Sequence, residues 1–135
     1  MENEIAIVTG AGRGIGADIA MTLASAGCRV IVNYRESEEQ ANALVAKINQ
    51  SGGTALAVRA DVTQFEDVQS LLSQTVEQFG APTILVNNVG PGIVSKKIVK
   101  TDWDDFQSCF EAGVKSAFNC SKSVGGLMMK NRRGS

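Results

Sequence analysis

The stretch "IAIVTGAGRGIG", Ile5 to Gly16, sets four glycines at alternate positions behind a run of small and β-branched apolar residues. Such a run reads as a strand buried on both faces. Glycine tolerates positive φ and lets a backbone approach a ligand with no Cβ in the way. A strand that ends in this turn and runs into a helix presents backbone N–H groups and the positive end of the helix dipole, which suits a pyrophosphate. The competing reading is tight strand-to-helix packing; the position of the turn, after the first strand and before the first helix, favours the phosphate. A P-loop would need Lys and then Ser or Thr after its last glycine, whereas Ile15, Gly16 and Ala17 stand there. The pattern is T-G-x-x-x-G-x-G, from Thr9 to Gly16, and differs from a strict G-x-G-x-x-G.

Outward from that turn the apolar period alternates between strand and helix. "EIAIV" (4–8), "RVIVN" (29–33), "TALAVR" (54–59) and "TILVN" (83–87) have the form of buried strands. A first helix is expected from about Gly14 to Ala26, stopped by Gly27. A second carries Ala41, Leu44, Val45 and Ile48 on one face, opened by Ser37 with Gln40 three residues on and closed by Gly52 and Gly53. A third has Thr63 and Glu66 as a capping box, Val68, Leu71, Leu72, Val76 and Phe79 as its stripe, and Gly80 as its stop. After the loop "VGPGIVSKK" (89–97), a stripe from Phe106 through Phe110, Val114, Phe118 and Val124 to Met128 predicts a fourth helix of roughly 25 residues. Trp103 reads as a packing anchor near its start, and the alternation predicts another strand at "KNRRGS". The fold class is therefore α/β, a Rossmann-type doubly wound parallel sheet truncated after the fourth helix, with residues 1–135 as one unit.

Composition narrows the function. The chain is 44% apolar with a net charge of -1, which speaks against disorder and against a nucleic-acid footprint. No apolar run approaches the roughly 20 residues of a membrane helix, and "MENEIAIV" is not a secretory leader, so a cytoplasmic protein is expected. Cys28, Cys109 and Cys120 are widely spaced and read as reduced, mostly buried thiols. The absence of histidine removes Ser-His-Asp and Cys-His chemistry and argues against a zinc site.

Three motifs, each at a strand end, then come together: Thr9 to Gly16, Asp61-Val62, and Asn87-Asn88-Val89-Gly90. In this order they resemble the short-chain dehydrogenase/reductase family, over the whole chain but only the first half of the family's domain. Within it the nearest look is to the 3-oxoacyl-(acyl-carrier-protein) reductases, through "VNYRESEEQA" and "MMKNRRG". The resemblance implies that Gly10, Ala11, Gly12, Arg13, Gly14, Ile15 and Gly16 form the turn against the pyrophosphate and adenosine ribose. It assigns Asp61 and Val62 to the adenine, and Asn88, Val89 and Gly90 to the ribose on the nicotinamide side. Val89 replaces the more usual Ala, and Gly12 stands where related reductases often have a Ser whose hydroxyl can reach the cofactor.

Cofactor choice is read at the end of the second strand, where an NAD enzyme usually places a carboxylate for the ribose 2′-hydroxyl. Here the residues are Asn33, Tyr34 and Arg35. Arg13 and Arg35 are both placed to pair with a 2′-phosphate, so NADP(H) is the expected cofactor, although Arg35 also reads as a solvated surface residue and Glu36 and Glu38 would weaken the site.

No catalytic residue is assigned. The family's proton donor is a Tyr with a Lys four residues later, assisted by a Ser; Tyr34 is the only tyrosine, residue 38 is Glu, and the chain is expected to end before that triad. The resemblance aligns Gly113 of "EAGVKSAF" with a family Asn that holds a local irregularity in the long helix and supports a water-mediated proton path; Gly113 can offer a carbonyl and tolerate the irregularity, at about 1 kcal/mol of helix stability against Ala, and lacks the side chain of that relay. Lys96, Lys97 and Lys100 read as a solvated face; Lys130, Arg132 and Arg133 suit either an acidic carrier protein or the helix dipole. The function implied is NADPH-dependent reduction of a small-molecule carbonyl or acyl-carrier-linked substrate by a full-length form. A non-catalytic dinucleotide-binding module, or an interaction module that oligomerises through the fourth helix, stays open beside it. A homo-oligomer is expected because the long stripe is too wide to face one sheet.

Overall fold

The computed structural model describes residues 1–91 and 96–135. The middle of the expected 89–97 loop lies outside the described residues. Strands β1 (Ile5–Val8), β2 (Arg29–Tyr34), β3 (Thr54–Arg59) and β4 (Ile84–Val86) alternate with helices α1 (Gly14–Ser25), α2 (Glu38–Gln50) and α3 (Phe65–Gln78). All strand pairs are parallel, in the order β3-β2-β1-β4, with Ile7 opposite Ile31 on one side and Leu85 on the other.

The pleat divides the core into two layers, because successive strand residues point to opposite faces. Ala6, Val8, Val30 and Val32 meet Ala20, Ala24, Ala41 and Ile48 of α1 and α2. Ile7, Ile31 and Val58 meet Val68 and Leu71 of α3 and Cys120, Val124 and Met128 of the last helix. Each wholly buried Val, Ile or Leu contributes about 1.5–3 kcal/mol, so the central strand, buried at all four of its positions, anchors the sheet.

Three local expectations are corrected. Thr63 and Glu66 form no capping box: Gln64 is the N-cap of α3 and makes no side-chain cap bond. Asp61 has captured Thr63 instead, its Oδ1 accepting the Thr63 N–H at 3.0 Å and hydroxyl at 2.7 Å. Ser37 does precede α2, but its hydroxyl makes no capping bond. Trp103 is not a buried anchor; it is 75% exposed and stacks only on Phe106, with ring centroids 6.5 Å apart.

The long helix forms, but in three pieces: α4 (Trp103–Phe110), a π turn over Glu111–Lys115, and α5 (Ser116–Asn131). A capping box of Asp102 and Asp105 opens α4, and Lys96 holds Asp105 with both carboxylate oxygens, at 2.6 and 2.7 Å. Gly113 lies in this π turn, and the Ser116 hydroxyl just after it donates back to the Ala112 carbonyl. Beyond it Cys120, Val124 and Met128 are buried, while Phe106, Phe110, Val114 and Phe118 of the same stripe stay largely exposed. Cys28 and Cys120 are buried and Cys109 is half-buried.

At the C-terminus the backbone lies along the outer edge of β4. Ser135 N–H donates to the Thr83 carbonyl at 2.9 Å, and Leu85 N–H donates to the Ser135 carbonyl at 2.9 Å. Arg133 pairs with Glu4 across the same end of the sheet.

Candidate functional site

Chain order reverses between β1 and β4, and in an open parallel sheet a ligand crevice forms beyond the strand ends at that reversal. The turn after β1 is tied down on both sides. Thr9 Oγ1 donates to the Val86 carbonyl at 3.2 Å and accepts the N–H groups of Asn88 and Val89 at 3.0 and 3.3 Å. Asn88 Nδ2 donates to the carbonyls of Thr9 and Gly10, at 3.0 and 3.1 Å. Gly16 is required by closeness: a Cβ there would lie 2.8 Å from the Gly10 carbonyl oxygen and 2.9 Å from Ala11 Cα. Arg13 is the extended N-cap of α1, and the first turn of α1 carries no acidic residue, so its N-terminus keeps its positive character.

The crevice has two compartments that meet at Gly10, Arg35, Val89 and Gly90. One of about 420 Å³ is lined further by Arg13, Tyr34, Ser37 and Asn88. The other, of about 180 Å³, is bounded by Asn33, Ala60, Asp61, Val62, Thr63 and Ala112. The sum is a groove running from the β1–α1 turn past the ends of β2 and β3, of a size that small-molecule sites commonly have.

The sequence-derived site residues do not all present side chains to this groove. Arg13 and Ile15 are exposed on the turn, Ile15 at 75%. Ala11 is buried, with its N–H donating to the Asn33 carbonyl at 2.8 Å. Asn33 is 1% exposed, and its amide is spent on backbone: Oδ1 accepts the Gly10 N–H at 3.2 Å and Nδ2 donates to the Ala60 carbonyl at 3.1 Å. It braces the floor between the two compartments. Tyr34 is 6% exposed, its ring in the α1/α2 layer; burial first, then Glu38, pushes its hydroxyl pKa up. Val62 is buried and its carbonyl accepts Asn119 Nδ2 at 3.1 Å. Gly12, Gly14 and Gly90 contribute backbone alone.

Arg35 reaches the surface, where its guanidinium is 2.9 Å from Glu36 and 3.8 Å from Asp61. The pair with Glu36 is solvent-exposed and the one with the half-buried Asp61 is long, so both cost little to exchange for a ligand anion. The sequence reading missed Ser37, Thr63, Ala112 and Asn119. Asn119 was legible as a polar residue within an apolar helical stripe; its Nδ2 donates to the carbonyls of Val62 and Thr63, tying α5 to the end of β3. Among the described residues no cluster of three or more Cys, Asp or Glu could hold a metal ion, and no helix is long and apolar enough to cross a membrane.

A parallel sheet with helices on both faces and its crevice at the β1/β4 reversal is a Rossmann fold. Residues 4–135 match the short chain dehydrogenase family, and the chain belongs to that family. It is 37% identical over 133 residues to a 3-oxoacyl-(acyl-carrier-protein) reductase of Synechocystis sp., covering 97% of this chain and 53% of that protein. The figures for the corresponding reductase of Staphylococcus epidermidis are 37% over 134 residues, with 98% and 54% covered. Among solved structures, a metagenomic short-chain oxidoreductase in complex with NADP superposes with a TM-score of 0.90 at 27% identity, covering 98% of this chain and 60% of that one. A dehydrogenase/reductase from Sinorhizobium meliloti gives 0.89 at 36%, covering 93% and 50%. The chain spans about half the length of the curated relatives it matches.

Proposed function

We propose that residues 1–135 are the NADP(H)-binding half of an NADPH-dependent carbonyl reductase of the 3-oxoacyl-(acyl-carrier-protein) reductase type. The observation that carries this reading is the rim at the end of β2: Arg35, with Arg13 lining the same 420 Å³ compartment, and no carboxylate at Asn33 or Tyr34. Two guanidinium groups favour a cofactor that bears an additional phosphate. The residues fit the group: the turn is cleared of side chains at Gly10, Gly12, Gly14 and Gly16, and α1 aims an uncompensated N-terminus at it. In this reading Gly10 to Ile15 hold the pyrophosphate, Asp61 and Val62 border the adenine, and Asn88, Val89 and Gly90 border the second ribose. Bound NADPH supplies the hydride for reduction of a carbonyl.

The proposal assigns no catalytic residue within residues 1–135. Tyr34, the sole tyrosine, is wedged in the α1/α2 layer with Glu at residue 38, so no Tyr-x-x-x-Lys is present to donate the proton. The 135-residue chain by itself is expected to bind cofactor and not to turn over ketones, since a positioned general acid contributes typically 10² to 10⁴-fold. Substrates and an acyl-carrier partner belong to a longer form, and a cytoplasmic location belongs to the same reading. A second reading, an interaction module, draws on the exposed aromatic face of α4 and α5; the two coincide in a homo-oligomer that binds cofactor.

Fluorescence titration of the chain with NADPH and NADH tests the proposal. NADPH is expected to bind at least tenfold tighter, with the advantage lost on Arg13→Ala or Arg35→Ala. Equal affinities for the two cofactors would contradict it.

A further inference from the structure

Helix α5 reaches the crevice through one buried side chain. Asn119 is 5% exposed, and its Nδ2 donates to the Val62 and Thr63 carbonyls, each at 3.1 Å. The Val62 carbonyl and the Thr63 N–H belong to one planar peptide group, so holding the first aims the second. That N–H donates to Asp61 Oδ1 at 3.0 Å, and the Thr63 hydroxyl donates to the same oxygen at 2.7 Å. The Asp61 N–H is in turn held by Asp67 Oδ2 at 2.9 Å. A chain of contacts thus runs from the Asn119 amide, through one peptide plane, to one oxygen of the Asp61 carboxylate. The other oxygen, Oδ2, accepts no hydrogen bond among the described residues and lies 3.8 Å from the Arg35 guanidinium. Asp61 lines the 180 Å³ compartment, and so does Ala112, upstream of Asn119 on the same long helix. The turn that carries Asp61 lies between β3 and α3, where no strand ladder or helix sets its peptide planes.

We propose that Asn119 is a positioning residue of this crevice: it fixes the orientation of the Asp61 carboxylate, whose second oxygen accepts a hydrogen bond from an amino group on a ligand's heteroaromatic base. The inference rests on the reading of the smaller compartment as the adenine end of NADP(H), and adds to it the residue that aims the acceptor. A hydrogen bond weakens steeply off its line, so a carboxylate free to rotate on a turn discriminates poorly between bases. Asp61 does not hold itself, because the Thr63 N–H that orients it swings with the Val62 carbonyl. Asn119 is buried behind the turn and leaves the Gly10 to Ile15 backbone untouched. Its loss therefore falls on discrimination of the base, with the contribution of the phosphates unchanged.

Fluorescence titration of the full chain with NADPH and with its deamino analogue, reduced nicotinamide hypoxanthine dinucleotide phosphate, isolates that contact, because the analogue lacks the amino group of the base. Wild type is expected to bind NADPH about tenfold tighter than the analogue. Asn119→Leu is expected to bring the two affinities to within about twofold, mainly by weakening NADPH. Asn119→Ser, too short to reach both carbonyls, is expected to do the same and carries the test if the leucine variant does not fold. Asp61→Ala is expected to abolish the preference, and Asn119→Ser added to it to change the ratio no further, as befits two residues acting through one contact. A merely structural Asn119 would weaken both ligands alike and keep the wild-type ratio, which would overturn its role and leave the cofactor reading standing. A wild-type ratio near one, with both ligands still bound more tightly than NADH, would overturn the Asp61 contact and the proposal with it. Equal binding of NADPH and NADH would contradict the 2′-phosphate reading without touching the base ratio.

Discussion

Thr9 and Asn88 hold each other twice: the Asn88 N–H donates to the Thr9 hydroxyl at 3.0 Å and the Asn88 side-chain amide donates to the Thr9 carbonyl at 3.0 Å. The ends of β1 and β4 are thereby locked at the reversal point where the crevice opens. Removing the hydroxyl strands the N–H groups of Asn88 and Val89, both part-buried. Thr9→Val, nearly isosteric, is expected to destabilise the chain by about 1–3 kcal/mol, read as a lower midpoint in urea at unchanged slope. A midpoint equal to wild type would show that water serves those groups equally well.

Association is the second expectation. Phe106, Phe110 and Phe118 are 53%, 62% and 61% exposed, on a helix whose opposite side is fixed to the sheet by Cys120, Val124 and Met128. Exposed aromatic side chains of this size favour self-association in water. The chain is expected to run as a dimer or larger in multi-angle light scattering, and Phe110→Asp with Phe118→Asp to shift it toward monomer. A monomeric wild type at high concentration would refute the assembly.

A third concerns acid. Hydrogen bonding by Thr83, and then by Arg133, holds the Glu4 carboxyl below its ordinary value of 4.5. With the folded value depressed, the stabilising contribution is complete above the ordinary value and fades as pH falls through the lower, folded one. Arg133 is the link to the tail that borders β4, so acidification below pH 4.5 is expected to loosen Ser135 from Thr83 before the sheet melts. Hydrogen exchange at the Leu85 amide, which donates to Ser135, should accelerate ahead of the Ile7 amide; simultaneous acceleration of both would count against it.

Thiol chemistry gives a fourth. Burial pushes Cys120 up to about 11 and raises Cys28 as well, while Cys109 is only half-buried on α4. Since the thiolate is the reactive form, Cys109 is expected to react first with Ellman's reagent at neutral pH and the other two only on unfolding. Fast modification of Cys120 in the folded chain would contradict its place in the α3/α5 layer.

The strands were legible because each is a short apolar run, with β1 and β2 buried along nearly their whole length, and the motifs were legible because each stands at a strand end. What escaped was decided by partners far away in sequence. Asn33 looks from its position like a rim residue, yet the carbonyls of Val58 and Ala60 and the amide of Gly10 draw its side chain inward. Thr63 carries the pattern of a helix cap, but α3 opens one residue later, at the Gln64 N-cap, and the Thr63 hydroxyl donates to Asp61 two residues before it. A Cβ at Gly12 would fall on the Ser37 hydroxyl oxygen, a fit between two loops whose contact no local periodicity encodes. The stripe of the long helix was visible as a stripe, while its division into a covered and an open part depends on where the sheet ends.

The π turn at 111–115 marks that division. Downstream, α5 is fastened to the sheet; upstream, α4 makes its main contacts with the turn itself and overhangs the edge like a balcony. Substitutions within residues 103–110 are therefore expected to leave the foundation beneath the crevice in its shape.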